Sequence, residues 1–446
     1  MKLAGVLALW ACAAPAAVWT IRPLGPLTRV QQAVDTAAPG DVIRIEAGTY
    51  TGNVVLDRRL TLEGVGRPVL HGTGRSSVVT VNADGCAIRN LTIEHSGEML
   101  ADEDSGILLH SSHNVIEHNE LRDVLFGIYL YHADNNTLAG NVIHGRVELS
   151  PGERGAGIHI WNSNGNTITG NTITQARDGM YLQNAYHTVV THNRVYRLRY
   201  GLHYMSSNDN RFEDNQFYDS VAGAAIMYSR NIEFRRNVFR HNRGFSSFGI
   251  LFQDSENCTA EDNAFVDNAV GIFMEALHAS TFRHNLIAAN DTAIQAFSSA
   301  TGNVFVENNF IQNLSPISVV GRASGSLWSD SARGNYWSDY TGYDLDENGV
   351  GDVSYKIQNV FERMEGDYPR LRLYLFSPAS QALAFSEKIV PLIRGAEEYD
   401  RFPLMRPAEL RMAETTARPA WQAIAVWPPL MMMGTSLLVI AWGRLR

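Results

Sequence analysis

The chain has 446 residues, a formal net charge of −9 at pH 7 and a hydrophobic fraction of 45%. This length admits a large solenoid with appendages, and the acidic balance argues against a nucleic-acid partner. The three cysteines, at positions 12, 86 and 258, are too few and too scattered for a disulfide framework. We expect Cys86 and Cys258 to be small core residues.

Residues 1–17 have the features of a secretory signal. Lys2 precedes an apolar stretch, and small residues follow it up to Ala17. The segment Leu9–Cys12 also imitates, weakly, a lipoprotein cleavage box, so the type of signal peptidase stays open. Either signal predicts export from a bacterial cytoplasm into an oxidising compartment in which metals are accessible.

Residues 18–82 are predicted to form an N-terminal cap and the first, less regular rungs of a solenoid. Thr28 to Ala38 has the pattern of a short helix that Pro39 and Gly40 end, and Asp41 to Ile45 has that of a strand. A helix at this place suits a solenoid, because it shields the first rung from solvent.

Residues 83–323 contain the regular repeat. Asparagine recurs there in the frame Asn-x-hydrophobic, most often every 22 residues, at Asn119, Asn141, Asn171, Asn193, Asn215, Asn237, Asn263, Asn285 and Asn309. A fixed period of this length indicates a repeat architecture, and short alternating runs indicate strands rather than helices. Leucine-rich repeats need leucine at fixed places, where this chain has Ile, Val, Phe, Met and Tyr. The sequence therefore predicts an all-β chain folded as a parallel β-helix, one turn per period.

Residues 324–370 break the period and are predicted to cap the far end. Gly334–Tyr340 is rich in aromatic residues, and an acidic glycine loop follows it. Oxygen-bearing side chains at alternate positions, with glycine at the sixth, resemble the start of a calcium loop. The twelfth position is Tyr355 instead of glutamate, so a structural turn is the alternative. The candidate calcium ligands are Asp344, Asp346, Asn348 and Asp352.

The C-terminal part divides into a linker or docking region, residues 371–420, and an uncharged span, residues 421–442. The span has the length of one membrane crossing, and tryptophans at its ends suit the interface. Pro428 and Pro429 weaken the helix, so an interfacial segment or one docked on a partner is the alternative. We expect a membrane-associated helix that ties the protein to the inner membrane.

One face of the predicted solenoid has an unusual composition. Glycine begins one strand of most repeats; the first and third residues after it should point inward, the second and fourth outward. The outward positions carry aromatic residues, histidine and methionine, and an apolar stripe of this kind marks a contact surface. The candidate docking residues are His110, Tyr129, Tyr131, Trp161 and Tyr181.

The same face suggests a site for a soft metal ion. Met205 and Met227 should be neighbours on successive rungs, about 4.8 Å apart, with His203 on the strand of Met205. Thioethers and imidazole suit Cu(I). His159, two rungs from His203, and His132, just past its strand, are further candidate copper ligands. Packing beneath a loop or the C-terminal segment is the alternative.

A polysaccharide-modifying enzyme is the rival function for such an architecture. It needs converging carboxylates, or a general base beside an arginine. The acidic residues are spread over different rungs and sides, and the sequence shows no clear acid–base pair. Stacked aromatic residues suit sugar rings, so carbohydrate binding is the stronger form of this alternative.

Three features together resemble the NosD family, the periplasmic maturation proteins of nitrous oxide reductase. They are the Pro-Gly-Asp-x-Ile-x-Ile stretch from Pro39, the asparagine ladder, and Gly334–Tyr340 joined to the acidic glycine loop. The resemblance implies a right-handed β-helix without enzymatic activity that works with the ATPase and permease of an ABC-type complex. It also implies copper, received from a lipoprotein chaperone and passed to the copper–sulfur cluster of nitrous oxide reductase. No family ligand motif maps onto this chain residue by residue.

Overall fold

The computed structural model describes residues 16–24, 29–321, 323–358, 364, 368–374, 377–380, 382–383 and 398–411. In this part the chain winds into a parallel β-helix with three long sheets, which confirms the predicted fold class. The compact unit that contains it ends at Arg411. Most of the predicted signal and the whole span 421–442 lie outside the described residues.

Most turns of the solenoid contribute one strand to each sheet, and the strand bounds below cover the described residues. The first sheet has 13 strands: Val18–Ile21, Val42–Ile45, Thr61–Gly64, Ala87–Arg89, Val115–Glu117, Thr137–Ala139, Thr167–Thr169, Val189–Thr191, Arg211–Glu213, Glu233–Arg235, Thr259–Glu261, Thr281–Arg283 and Val304–Val306. The second has 13: Thr49–Thr51, Val69–His71, Thr92–Glu94, Glu120–Val124, Val142–Gly145, Thr172–Thr174, Arg194–Tyr196, Gln216–Tyr218, Val238–Arg240, Ala264–Val266, Leu286–Ala288, Asn309–Ile311 and Tyr336–Trp337. The third, which we call the glycine-led sheet, has 12: Val54–Leu56, Val79–Val81, Ser105–Leu109, Phe126–Tyr131, Ile158–Trp161, Asp178–Gln183, Tyr200–Met205, Ala222–Met227, Phe248–Glu256, Val270–His278, Thr292–Phe297 and Ser315–Val320.

Helices are few and short in the described residues. An α-helix at Val30–Thr36 covers the first rung with buried Val30, Ala33 and Val34. Short 3₁₀ helices lie at Leu100–Asp102 and Pro369–Tyr374. No helix within the described ranges is long and apolar enough to cross a membrane.

Asparagine ladders close the corners between sheets. At the first-to-second corner, the Asn215 side-chain oxygen accepts the backbone N–H of Asn193 at 3.0 Å and its side-chain N–H at 2.9 Å. The Asn215 side-chain amide donates in turn to Asn237 Oδ1 and to the backbone oxygen of Val190. The ladder therefore satisfies backbone groups that the corner buries.

At the rung after Asn285 the ladder residue is Asn308 and not the predicted Asn309. The residue before each ladder asparagine from Asn119 to Asn308 adopts a left-handed backbone conformation. Histidines fill this place at His118, His192 and His284, with φ between 52° and 57°. They are turn residues. The glycines that lead the strands of the glycine-led sheet are required for a different reason, the close approach of two backbones. A Cβ on Gly201 would lie 2.5 Å from the backbone oxygen of Gly223 on the next rung, so only glycine fits.

Inward-pointing side chains fill the solenoid in stacked columns. The rings of Phe217, Phe239 and Phe265 lie parallel on successive rungs, with centroids 5.3 and 5.0 Å apart. Each turn thus buries its apolar face against the turns before and after it.

The far end is closed by tryptophans and a returning strand. The Trp337 ring stacks on Phe310 at 4.1 Å, and an antiparallel pair of strands, Tyr355–Lys356 and Tyr399–Asp400, lies beyond it. Asp400 accepts the indole N–H of Trp337 at 2.9 Å. Burial raises the pKa of Asp400, against the lowering effect of this and other hydrogen bonds.

Candidate functional site

The outer face of the glycine-led sheet, which we call the outer wall, carries two rows of side chains in register. The row nearer the start of the strands, which we call the inner row, runs Leu108, Tyr129, His159, Tyr181, His203, Ala225, Leu251 and Phe273. The row nearer the end of the strands, which we call the outer row, runs Tyr131, Trp161, Gln183, Met205, Met227 and Gln253. The alternation of inward and outward residues therefore follows the predicted pattern on these strands.

Four of the five predicted docking residues lie at least partly at the surface of the outer wall. His110 is exposed, and Tyr131, Trp161 and Tyr181 are half-buried. The rings of Tyr131 and Trp161 lie 4.7 Å apart, and His110 packs edge-on against Tyr131 at 5.6 Å.

The burial of Tyr129 removes this residue from the predicted docking surface. It points away from the solenoid core but is only 4% exposed, and its hydroxyl donates to Glu103 at 2.9 Å. The insertion that contains Glu103 is held beside a second insertion, since Arg146 bonds Glu98 at 2.8 Å. Together with Leu125, Phe126 and Ala156, Tyr129 belongs to a small apolar cluster outside the main core.

The structure brings three of the five predicted copper ligands together. Met205 lies directly opposite Met227, and His203 is two residues from Met205 on the same strand. Ala225 is the register partner of His203, so a single methyl group stands beside the imidazole on the next rung. The Tyr181 hydroxyl lies 3.5 Å from the Met205 sulfur.

His132 and His159 are separated from this trio. His132 is exposed beside Tyr131, three rungs or about 14 Å from Met205 along the outer row. The prediction of His132 as a ligand of the same ion is therefore wrong. His159 lies two rungs from His203, and the Tyr181 ring stands between them, 4.6 Å from one imidazole and 4.5 Å from the other.

His159 is held as a neutral imidazole between aromatic rings. It stacks on Tyr129 with centroids 4.2 Å apart, and its Nδ1 is buried without a hydrogen-bond partner among the described residues. Burial lowers the pKa of His159 to about 3, and the positive charge of Arg177 acts in the same direction.

The depressed pKa of His159 predicts a loss of stability in acid. Between its unfolded pKa, about 6.5, and its folded pKa, the unfolded chain binds a proton that the native state does not, so stability falls as the pH falls. From pH 7 to pH 5 the wild type should lose about 2 kcal/mol more than His159→Gln. Urea unfolding at both pH values measures this difference, and parallel losses in the two proteins would contradict it.

A buried carboxylate on the preceding strand, that of Asp178, contacts the His203 imidazole. Asp178 is fully buried and accepts two hydrogen bonds from Arg199, at 2.9 and 2.5 Å. Its Oδ2 also lies 3.2 Å from His203 Nδ1. Burial raises the pKa of Asp178, but the hydrogen bonds from His203 and Arg199 outweigh it and leave the pKa below its usual value.

Sequence reasoning missed Asp178 and Arg199, because it treated all the acidic residues as spread over different rungs and sides. The signal was present. Asp178 directly precedes Gly179, and no other strand-leading glycine of the repeat follows a charged residue. The 22-residue period places Asp178 opposite Tyr200, beside Arg199, as the structure does.

The acidic glycine loop is built as a hydrogen-bonded turn. Asp344 accepts the backbone N–H groups of Asn348 and Gly349, at 3.1 and 2.8 Å. Asp346 accepts from the Asn348 side chain, and Asp352 accepts the N–H of Leu345 at 2.7 Å. These contacts order the loop as a turn, and the calcium site stays a prediction.

Metal ligands of the hard or borderline type do not cluster in the described ranges. No group of three or more His, Cys, Asp and Glu side chains there is arranged to hold a metal ion. The trio of His203, Met205 and Met227 is of another type, since two of its donors are thioethers.

Comparison with known proteins identifies the family. The model of a family described as periplasmic copper-binding protein (NosD) matches residues 143–342. A probable ABC transporter binding protein NosD from Pseudomonas aeruginosa is 35% identical over 375 residues, which are 81% of this chain and 87% of that protein. A protein of the same name from Stutzerimonas stutzeri is 31% identical over 386 residues, 83% of this chain and 88% of that protein.

Among solved structures, the A-module of a mannuronan C-5 epimerase from Azotobacter vinelandii superposes with a TM-score of 0.57. The match covers 69% of this chain and 99% of that module at 16% identity, so it shows the β-helix fold alone. Both relatives above are named as binding proteins. We therefore class the chain among binding proteins and not among the enzymes that share its fold. Because the chain is 35% and 31% identical to the two NosD relatives over most of their lengths, it belongs to the NosD family of periplasmic copper-binding proteins.

Proposed function

We propose that this protein is an accessory factor for the maturation of nitrous oxide reductase and assists copper delivery to the enzyme's copper–sulfur cluster. Its partners would be the ATPase and permease of an ABC-type complex, a copper chaperone lipoprotein that supplies the metal, and nitrous oxide reductase, which receives it. Family membership and the names of the relatives support this role. The proposed location is the periplasm, with residues 421–442 associated with the inner membrane.

The observation that carries the proposal is the placement of Met205 opposite Met227, with His203 beside them. Two thioethers and one imidazole are neutral, soft donors that favour Cu(I) over harder ions. All three side chains are half-buried on the outer wall, so a carrier can reach them. Few and neutral ligands also suit transient binding, which a delivery protein requires.

Competition with the Cu(I) chelator bicinchoninate tests the proposal on the purified full chain under anaerobic conditions. Replacing the outer-shell partner of a metal ligand typically costs 10–100-fold in affinity, so removing two ligands should cost at least as much. We expect Met205→Ala/Met227→Ala to bind Cu(I) at least about tenfold more weakly than the wild type. Met99→Ala, at an exposed methionine in the insertion that contains Glu103 and outside the proposed ligand set, is the matched control and should bind as the wild type does. Equal affinities for the wild type and the double variant would remove this site.

The carbohydrate-binding alternative has lost part of its support. It relied on Tyr129, Trp161 and Tyr181 as a platform for sugar rings, and Tyr129 is buried. It predicts binding of an acidic polysaccharide such as alginate and indifference to copper, so adding alginate in the same titration separates the two functions.

A further inference from the structure

The imidazole of His203 is fixed on three sides. The Tyr181 ring lies 4.5 Å from it and the Tyr200 ring 5.2 Å. Its Nδ1 faces Asp178, and only 15% of its side chain is exposed. A ring held in this way has one nitrogen, Nε2, with no hydrogen-bond partner among the described residues.

The contact with Asp178 determines which nitrogen carries the proton. Asp178 accepts two hydrogen bonds from the Arg199 guanidinium, and a carboxylate paired in this way accepts hydrogen bonds and donates none. Arg199 Nη2 lies 3.5 Å from the same Nδ1, but the carboxylate is nearer, at 3.2 Å. A charge-assisted bond to a buried carboxylate is the stronger interaction. Neutral His203 therefore has its proton on Nδ1 and its free lone pair on Nε2.

We infer that Asp178, held by Arg199, is a positioning residue that keeps His203 in the tautomer able to bind a metal ion through Nε2. This inference rests on the proposed copper site. Histidines that bind metals commonly donate their other ring N–H to a carboxylate, which fixes the ring and makes the ligand more basic. Arg199 clamps Asp178 through two bonds, and its guanidinium lies 4.5 Å from the Tyr200 ring. The support for His203 is therefore itself rigid.

The tautomer can be measured without copper. In the full chain labelled with ¹⁵N-histidine, two-bond ¹H–¹⁵N correlation spectra distinguish a protonated ring nitrogen from a free one, and His203→Gln identifies the signal of His203. We expect the Nδ1–H form in the wild type and a mixture of tautomers in Asp178→Asn. A wild-type signal of the Nε2–H form, or an unchanged signal in Asp178→Asn, would overturn the inference.

The matched control is Asp214→Asn. Asp214 accepts two bonds from Arg236, both at 2.9 Å, and so reproduces the pair formed by Asp178 and Arg199 at a different place on the solenoid. Its loss should leave the His203 signal and the Cu(I) affinity unchanged. Thermal melting of both variants verifies that they fold.

Cu(I) affinity gives the second readout. Asp178→Asn should bind Cu(I) about 10–100-fold more weakly than the wild type. Loss of affinity in His203→Gln without loss in Asp178→Asn overturns the positioning role and leaves the copper site standing. Wild-type affinity in both variants and in Met205→Ala/Met227→Ala overturns the proposed function itself.

Discussion

Replacing Asn215 with alanine should lower the free energy of unfolding by about 3–5 kcal/mol. The side chain of Asn215 is fully buried, and its removal takes an acceptor from two N–H groups of Asn193 and a donor from the backbone oxygen of Val190. A buried polar group left without a partner costs about 1–3 kcal/mol. Alanine offers no replacement, and neighbouring rungs are too tightly packed to admit solvent without rearrangement.

Urea unfolding followed by circular dichroism measures this effect. The control is Asn208→Ala, since Asn208 is half-buried and accepts one backbone N–H, from Arg230 at 2.9 Å, where water can take its place. We expect it to cost about 1 kcal/mol or less. A similar cost for both substitutions would show that the ladder does not hold the corners.

Phe239→Ala is expected to cost about 3–5 kcal/mol through the loss of a fully buried ring. Phe239 lies in the middle of the column formed with Phe217 and Phe265, so its removal opens a cavity between two rungs. In a solenoid each rung is stabilised by its two neighbours only, and the lost contacts have no substitute elsewhere.

Phe245→Ala is the same substitution at a residue that is 98% exposed. Its cost should stay within about 0.5 kcal/mol, as for most surface changes. Comparing the two variants by urea unfolding separates burial from any general effect of removing phenylalanine. Equal midpoints for Phe239→Ala and Phe245→Ala would contradict the stacked core.

The fold could be predicted because each repeat has asparagine and glycine at positions where few other residue types fit. Asn193 and Asn215 occupy the same corner one period apart, and Gly201 and Gly223 occupy the place where two backbones approach closely. A period of 22 then fixes which residues are neighbours, including Met205 and Met227. Periodicity alone thus gives both the architecture and the register.

The parts that were not predicted depend on segments without periodicity. The insertion that contains Glu103 covers Tyr129, and no repeat pattern states where an insertion folds. His132 was misplaced for a related reason. It was judged by its nearness to a strand end, whereas its distance from Met205 is set by the number of intervening rungs.

The outer wall combines groups of different origin in a small area. His203 and Met205 are on one strand, Met227 is on the next, and Asp178 comes from the strand before. These residues span 50 positions of the sequence, from Asp178 to Met227, and only stacking in register makes them neighbours. The proposed copper site is therefore a product of the solenoid and not of any local motif.

X-ray absorption at the copper K-edge of the Cu(I)-loaded full chain tests the central claim most directly, because it identifies the atoms bound to the metal. The proposed site predicts a shell of two sulfur donors and one imidazole nitrogen, with the sulfur contribution lost in Met205→Ala/Met227→Ala and the imidazole contribution lost in His203→Gln. A sulfur shell that persists unchanged in the double methionine variant would contradict the placement of copper on the outer wall.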